Sequence, residues 1–210
     1  MELNKKKDTV KIRRSTKKDG AAVYQLIKRA GTLDLNSAYC YLLLCDMFKD
    51  TCAVAEADNR LLGFVSAFRR PDQPNTLFIW QIAVDPDSRG LGLGKRLLKE
   101  VTARGGEEIR YVEATVSPSN QASNRLFRTF AEAMETKLDV AADGYPSTLF
   151  PPGMTHEDEP LLRVGPFRYK GKQEHAGTTG QTKETKPLKE GFGEQRKGNE
   201  NRRQTVHASV

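Results

Sequence analysis

The sequence predicts a mixed α/β domain with a β-sheet as its spine. Stretches with apolar residues three to four positions apart, typical of amphipathic helices, alternate with short runs rich in β-branched and aromatic residues, typical of strands. A near-continuous apolar run at residues 77–84 indicates a central strand that is covered on both faces. Strands and helices interleaved in this way form layers around one sheet.

The start of the chain predicts one strand followed by two helices. Residues 11–14 form a short strand, and Asp19 is placed to cap a helix that runs through Ala30 with its apolar residues on one face. Residues 38–48 are apolar nearly all round, which predicts a second helix that is buried.

Three more strands follow the second helix, and after them helices and strands alternate. Polar residues 58–60 predict a hairpin turn, and a loop rich in Pro and Gly joins the last two strands. The predicted strands cover residues 51–57, 61–69, 77–84, 109–117, 136–140 and 161–167, and the predicted helices cover residues 93–104 and 121–134.

The formal net charge of +7 over 210 residues comes from the two ends of the chain. Residues 1–18 carry eight Lys or Arg against two acidic residues, and residues 171–210 carry eight against five. Residues 19–170 therefore have a net charge of about −2. A nucleic-acid-binding domain is expected to carry its basic residues on a folded face, so the charge disfavours that class.

Composition also divides the chain. Residues 171–210 are rich in Gly, Thr, Gln, Lys and Glu and hold few apolar residues, so they cannot bury enough surface to offset the entropy of ordering. We therefore expect a flexible basic segment at 1–9, one domain at 10–170 and a disordered polar tail at 171–210.

The sequence also disfavours export and metal binding. No apolar run approaches the roughly 20 residues that span a bilayer, and no apolar stretch follows the basic N-terminus. We expect a cytoplasmic protein in which Cys40, Cys45 and Cys52 are reduced thiols that fill the core. Their spacing fits no zinc pattern and His156 is the one histidine before the tail, so no metal site is predicted.

The most informative stretch joins the end of the central strand to the next helix. Gly90, Gly92 and Gly94 lie there, with Arg89 and Lys95 on either side. Glycines allow a positive φ and a close approach of the backbone to a ligand. The free N–H groups of a first helical turn favour an anion. The stretch predicts a phosphate cradle, and a glycine-rich turn without a ligand is the alternative.

Two common phosphate motifs do not fit this stretch. A P-loop needs four residues between its first Gly and Gly-Lys-Ser/Thr, but here three residues separate Gly90 from Gly94 and Arg96 stands where the hydroxyl should be. A dinucleotide fingerprint needs Gly-x-Gly-x-x-Gly, whereas this chain has Gly-x-Gly-x-Gly.

What remains is the pattern Arg-x-x-Gly-x-Gly after an apolar strand, carried by Arg89, Gly92 and Gly94. It resembles the acyl-CoA-binding motif of the GCN5-related N-acetyltransferase (GNAT) superfamily, over about residues 10–168. The resemblance implies a mixed sheet splayed at the cofactor site, helices on both faces, and acetyl-CoA as co-substrate. It implies cofactor contacts at Ile82, Val84, Arg89, Gly90, Leu91, Gly92, Gly94, Lys95, Asn120 and Ser123.

A second superfamily element matches at Asn120, Ser123, Leu126 and Phe127, where a helix follows a strand. From the residues alone, Asn120 serves equally well as an ordinary helix N-cap. Superfamily members usually carry Tyr where Phe127 stands, and that hydroxyl often protonates the departing thiolate. Its absence implies that water or another residue is the acid.

Residues 32–45, 76–84, 156–159 and 161–166 closely resemble one subfamily, the L-2,4-diaminobutyrate acetyltransferases of ectoine synthesis. This resemblance implies transfer of the acetyl group to the γ-amino group of diaminobutyrate, and a homodimer. A tail such as the one after Tyr169 is not expected of the subfamily.

Diaminobutyrate carries two ammonium groups and a carboxylate, and three residues offer matching partners. Asp34 precedes the apolar helix, where an unpaired charge would be costly. Tyr39 and Trp80 offer aromatic faces that suit a cation. The alternatives are a helix cap at Asp34 and a core aromatic at Trp80.

The catalytic base has to come from outside the central strand. Many superfamily members carry a Glu on that strand, where Gln81 and Ala83 offer none. His156 and Glu159 lie three residues apart in a loop that can fold over the site, although their acidic neighbourhood could equally be a solvated run. We assign ammonium recognition to Asp34 and the base role to Glu159 assisted by His156, and the two carboxylates could be exchanged.

Two other functions fit the same sequence. A GNAT enzyme that acetylates another small diamine, amino acid or protein amine would differ only in its acceptor. A non-catalytic binding module would use the basic ends as arms, and the mildly acidic body disfavours it.

Overall fold

Seven strands form one sheet in the computed structural model, in the order β1-β2-β3-β4-β5-β7-β6. The strands are β1 (Lys11–Arg14), β2 (Ala53–Ala57), β3 (Arg60–Arg69), β4 (Thr76–Val84), β5 (Tyr111–Thr115), β6 (Leu138–Tyr145) and β7 (Glu159–Val164). The helices are α1 (Gly20–Ala30), α2 (Ala38–Met47), α3 (Leu93–Arg104) and α4 (Gln121–Ala133).

The structure describes residues 10–153 and 155–167. The chain divides into a unit of residues 1–170 and a unit of residues 171–210, and the described residues belong to the first. The expectations for residues 1–9 and 171–210 fall outside the described residues. Within the described part, no helix combines the length and the apolar character that a membrane span requires.

The sheet opens between its two central strands. Neighbouring strands are antiparallel except β4 and β5, which are parallel and pair only where Thr76–Phe78 lies against Tyr111–Glu113. Because β4 continues to Val84 after this pairing has ended, its second half has a free edge on the β5 side. The predicted splayed mixed sheet is confirmed.

Helices cover both faces of the sheet, as predicted. Alternate residues of β2 point to opposite faces, so Val54 packs with α1 and α2 while Ala53 and Ala55 pack with α3 and α4. On the first face, α1 and α2 contribute Leu26, Ile27, Tyr41 and Leu44. On the second, α3 and α4 contribute Leu97, Leu98, Phe127 and Phe130.

The predicted starts of β3 and α1 both need correction. The turn between β2 and β3 is made by Asp58 and Asn59 alone, both with positive φ (50° and 59°), so β3 begins at Arg60. Asp19 directly precedes α1, but its carboxylate accepts hydrogen bonds from Arg13 and Thr16 instead of capping that helix.

The prediction that α2 is buried on all sides is wrong. Its inner face, with Tyr41, Leu44 and Cys45, packs against α1 and the sheet. Its outer face leaves Tyr39 67% exposed and Met47 73% exposed. An apolar sequence reveals how much surface could be buried, but the neighbouring elements decide which side is covered.

Candidate active site

Two cavities meet beside the free edge of β4. The larger has a volume of about 1090 Å³ and the smaller a volume of about 450 Å³. Both are lined by Thr32, Leu33, Ile82, Asn120 and Ser123. Two ligands, one in each cavity, would therefore meet at these five residues.

The smaller cavity contains the glycine turn. Gly90 and Gly92 have φ of 82° and 71°, and a Cβ on either would have no atom within 4 Å. These glycines therefore serve the positive φ, and the space beside them is open. Helical bonding in α3 starts with the N–H of Arg96 donating to the Gly92 carbonyl (3.1 Å), so the amides of the first turn have no helical acceptor.

Most residues predicted to contact the cofactor line this smaller cavity: Ile82, Val84, Arg89, Gly90, Gly92, Gly94, Lys95, Asn120 and Ser123. Leu91 is the exception, because its side chain is 7% exposed and packs in the core, so only its main chain belongs to the turn. The Asn120 side chain accepts a hydrogen bond from the Ser123 N–H (3.1 Å). Asn120 is therefore an N-cap of α4 that also lines both cavities.

The larger cavity collects four of the five residues predicted for the acceptor: Asp34, Trp80, His156 and Glu159. Trp80 is 43% exposed, so the alternative of a core aromatic is wrong. Tyr39 is not brought into this cavity, because it lies on the outer face of α2.

Asp34 lies in the loop between α1 and α2. It is exposed, so the expectation of a poorly solvated charge is wrong. The helix-cap alternative is also wrong, because the Ser37 side chain caps α2 by accepting a hydrogen bond from the Cys40 N–H (3.2 Å). Asp34 therefore has no capping role, and it is one of the residues that line the cavity.

Glu159 and His156 form the titratable centre of the larger cavity. The Thr115 hydroxyl donates to Glu159 Oε2 (2.7 Å), and His156 Nε2 is 3.9 Å from Glu159 Oε1. His156 Nδ1 lies 2.8 Å from the Glu157 carbonyl, which can only accept, so Nδ1 carries the proton. In the neutral ring, Nε2 then presents a lone pair on the side of Glu159.

The His156 ring is held by stacking as well as by hydrogen bonding. The Phe150 ring lies against it with centroids 3.5 Å apart and planes inclined by 9°. Glu159 itself is the first residue of β7, so the prediction that it lies in a loop is wrong. The sheet fixes the carboxylate, and the loop supplies the imidazole.

The two neighbouring acidic residues, Glu157 and Asp158, are exposed to solvent, as the alternative of a solvated acidic run predicts, and each also accepts a hydrogen bond from the main chain. The Glu157 carboxylate accepts from the Ser119 N–H (3.1 Å), and the Asp158 carboxylate accepts from the Ser147 N–H (2.7 Å). These hydrogen bonds lower the pKa of each carboxyl below its ordinary value. Both groups are therefore ionised at neutral pH.

Several residues of the cavity escape sequence reasoning. Thr115 and Phe150 reach Glu159 and His156 from distant parts of the chain, and no local pattern marks either of them. Phe127 lines the cavity and is 1% exposed. At the place where superfamily members usually carry Tyr, this chain therefore has a buried phenyl ring without a hydroxyl.

The cysteines are unsuited to nucleophilic chemistry. All three are free, and burial raises the pKa of Cys45 to about 12 and that of Cys52 to about 11. Burial also raises the pKa of Cys40. The thiolate, which is the nucleophile, is therefore scarce at neutral pH. Among the residues that the structure describes, no three His, Cys, Asp or Glu are grouped to hold a metal ion.

Comparison with known proteins agrees with this geometry. Residues 21–131 match the model of the acetyltransferase (GNAT) family. The matched segment begins in α1 and ends in α4, so it contains the glycine turn and the splayed strands.

Two curated relatives are named L-2,4-diaminobutyric acid acetyltransferase. The chain is 47% identical over 154 residues to the protein of Virgibacillus pantothenticus, covering 73% of this chain and 96% of the relative. It is 42% identical over 159 residues to the protein of Halomonas elongata, covering 75% of this chain and 81% of the relative.

A similar solved structure is the diaminobutyrate acetyltransferase EctA of Paenibacillus lautus in complex with its substrate L-2,4-diaminobutyric acid and coenzyme A. The two chains are 46% identical and superpose with a TM-score of 0.72, over 78% of this chain and 98% of the other. This chain therefore shares its fold with a protein whose solved structure contains both of these ligands.

Proposed function

Because the chain belongs to the acetyltransferase (GNAT) family, we propose that it moves the acetyl group of acetyl-CoA to the γ-amino group of L-2,4-diaminobutyrate. The product is N4-acetyl-L-2,4-diaminobutyrate. The observation that carries the proposal is the junction of two cavities at the free edge of β4, one with an anion-binding turn and the other lined by acidic residues that include Asp34 and Glu159.

Acetyl-CoA occupies the smaller cavity. Its diphosphate binds the first-turn amides of α3, with the charges of Arg89 and Lys95 close by. Its pantetheine arm pairs with main-chain groups of Ile82 and Val84, which the parting of β4 from β5 leaves without a strand partner on that side. The thioester then reaches the junction of the two cavities.

Diaminobutyrate occupies the larger cavity. Its α-ammonium group pairs with the Asp34 carboxylate, which raises the pKa of that ammonium and keeps it unreactive. The Trp80 ring offers a face to the same cation. The γ-amino group then points toward the thioester.

The γ-ammonium must lose a proton before it can attack, since an alkyl ammonium has a pKa near about 10. Glu159 accepts that proton, and the Nε2 lone pair of His156 offers a second acceptor 3.9 Å away. When the imidazole is neutral, one ammonium group can donate to both of these atoms. The hydrogen bond from Thr115 keeps the Glu159 carboxylate in this position.

The neutral amine attacks the thioester carbonyl directly. A main-chain N–H of the segment from Ile82 to Val84 stabilises the oxyanion. Because Phe127 has no hydroxyl, the proton that the attacking nitrogen loses as the amide forms reaches the departing thiolate through water. The raised thiol pKa values of Cys45 and Cys52 speak against an acetyl-cysteine intermediate.

The biological setting follows from the product. We assign the enzyme to ectoine (compatible-solute) synthesis under osmotic stress. We also assign it to the cytoplasm, because reduced thiols persist in that compartment. We also propose a homodimer, because apolar residues such as Tyr39, Met47, Val140 and Leu149 are each more than 60% exposed in the single chain. Light scattering on the purified protein gives the mass that tests this assembly.

One experiment tests the acceptor. Coenzyme A release from acetyl-CoA is measured with diaminobutyrate, ornithine, lysine and a polyamine, and the product is analysed by NMR. We expect kcat/KM to be highest with diaminobutyrate and the acetyl group to be on the γ-nitrogen. A higher kcat/KM with another amine would point to a different GNAT acceptor. Absence of turnover combined with nucleic-acid binding through the basic ends would point to a binding module.

A further inference from the structure

The loop that carries Asp34 is hydrogen-bonded to the central strand through one buried side chain. The Gln81 Nε2 donates to the Asp34 carbonyl (2.8 Å), and Gln81 Oε1 accepts from the Tyr41 hydroxyl (3.2 Å). The same hydroxyl accepts from the Asn36 N–H (3.2 Å). Gln81 is 5% exposed and Tyr41 is fully buried, so the bond between them is shielded from solvent, and the two bonds to the loop are partly buried.

A β-bulge explains why Gln81 faces the loop. Ser66 of β3 pairs with Gln81 and Ala67 pairs with Ile79, so Trp80 is an extra residue in β4. Successive side chains of a regular strand point to opposite faces, whereas a bulge re-aims them. Here Ile79 packs on the face covered by α3 and α4, whereas Ala83 packs on the face covered by α1 and α2, where Gln81 bonds Tyr41. The Gln81 N–H donates to the buried Ser66 hydroxyl (3.2 Å), which holds the bulge.

We infer that Gln81, together with Tyr41, is a positioning residue that sets the acceptor specificity of the site. This inference rests on the proposed function. The two side chains fix the main chain at residues 34 and 36, and thereby aim the Asp34 carboxylate into the larger cavity. Asp34 needs such support because it is exposed and lies between two helices, outside any regular element.

The chemistry of the loop requires an amide at this position. An amide both donates and accepts, so Gln81 can satisfy the Asp34 carbonyl and the Tyr41 hydroxyl at the same time. A carboxylate at position 81 would still accept from Tyr41, but it would face the Asp34 carbonyl without a proton. It would also add a negative charge near the Asp34 carboxylate. The side chain at 81 therefore acts in acceptor binding, and proton transfer belongs to Glu159.

Three variants test the inference: Tyr41→Phe, Gln81→Leu and Gln81→Glu. Tyr41→Phe removes one oxygen atom, Gln81→Leu removes both hydrogen bonds, and Gln81→Glu keeps the size of the side chain but loses the bond to the Asp34 carbonyl. The control is Thr102→Val, which removes a buried hydroxyl that donates to the Leu98 carbonyl within α3, away from both cavities.

We expect the KM for diaminobutyrate to rise about fivefold in Tyr41→Phe and at least about tenfold in both Gln81 variants. The KM for acetyl-CoA should stay within about twofold in all of them. NMR of the product should detect some acetylation of the α-nitrogen, because the α-ammonium is no longer held in one place. Thr102→Val should lower the thermal midpoint without changing either KM.

Three results would overturn the inference while leaving the proposed function intact. They are an unchanged KM for diaminobutyrate in folded Gln81→Glu and Tyr41→Phe, equal increases in both KM values, or the same changes in Thr102→Val. Should the Gln81 variants fail to fold, the milder Tyr41→Phe decides the question. If the unmodified chain does not turn over diaminobutyrate, the proposed function and this inference fall together.

Discussion

The two halves of the site are built in different ways. The smaller cavity is centred on main-chain groups of one continuous stretch, where the end of β4 leads through the glycine turn into α3, although residues near the end of α1 and at the start of α4 also line it. The larger cavity relies on side chains from separate segments that include Asp34, Trp80, Thr115 and Glu159. Recognition by main-chain groups requires glycines at a fixed spacing, so a sequence motif reveals it. Side-chain recognition depends on the fold to bring its parts together.

Substitutions in the two cavities should therefore affect different ligands. Changes in the larger cavity should alter turnover or acceptor binding and spare coenzyme A. Changes in the glycine turn should do the reverse.

Glu159→Gln should lower kcat by roughly 10²–10⁴-fold, because the amide cannot take the γ-ammonium proton. Coenzyme A affinity, measured by calorimetry, should stay within about twofold. The matched control is Glu132→Gln, an exposed change on α4 at a residue that lines neither cavity. A kcat within about twofold of the parent in Glu159→Gln would mean that the base is elsewhere.

Gly92→Val should weaken coenzyme A binding by about tenfold or more, because a β-branched residue is strained at φ 71° and its side chain enters the open space beside the turn. Affinity for diaminobutyrate should not change. Gly106→Val is the control, because Gly106 also has a positive φ (57°) and open space around its Cβ position, but it does not line either cavity. Equal losses of coenzyme A affinity in both variants would mean that backbone strain alone causes the effect.

Asp34→Asn should raise the KM for diaminobutyrate about tenfold, because the charged partner of the α-ammonium is lost. The KM for acetyl-CoA should be unaffected in the same steady-state assay. Asp139→Asn, an exposed change on β6, should alter neither value. An increase in the KM for acetyl-CoA alone would contradict the division between the cavities.

Incubation with acetyl-CoA in the absence of an amine should leave the protein without an acetyl adduct. Burial keeps the thiols of Cys45 and Cys52 protonated, so no cysteine is expected to accept the acetyl group. Mass spectrometry under denaturing conditions gives the answer. A cysteine acetylated in proportion to enzyme, and deacetylated on addition of diaminobutyrate, would replace direct transfer by a two-step route.

The sequence is sufficient for the order of elements and for the cofactor turn. The periodicity and the glycines predict α3 at residues 93–104, and the structure has Leu93–Arg104. Both signals are local, since a helix repeats within itself and a positive φ is a property of one residue.

The rest depends on contacts that no local pattern contains. The outward turn of Tyr39, the strand position of Glu159 and the hydrogen bond from Thr115 follow from how distant elements pack. The bulge at Trp80 is also invisible in the sequence, because regular and bulged strands have the same composition. It nevertheless directs the Gln81 side chain to Tyr41 and to the loop that carries Asp34.

The most direct test is a crystal structure of this protein with coenzyme A and diaminobutyrate bound together. We expect the diphosphate at the amides of residues 89–95 and the α-ammonium at Asp34. The γ-nitrogen should lie within about 3.5 Å of the position that the acetyl carbon occupies, beside Ile82 and Ser123. A diphosphate bound away from the glycine turn, or an α-nitrogen directed at the coenzyme A sulfur, would contradict the account.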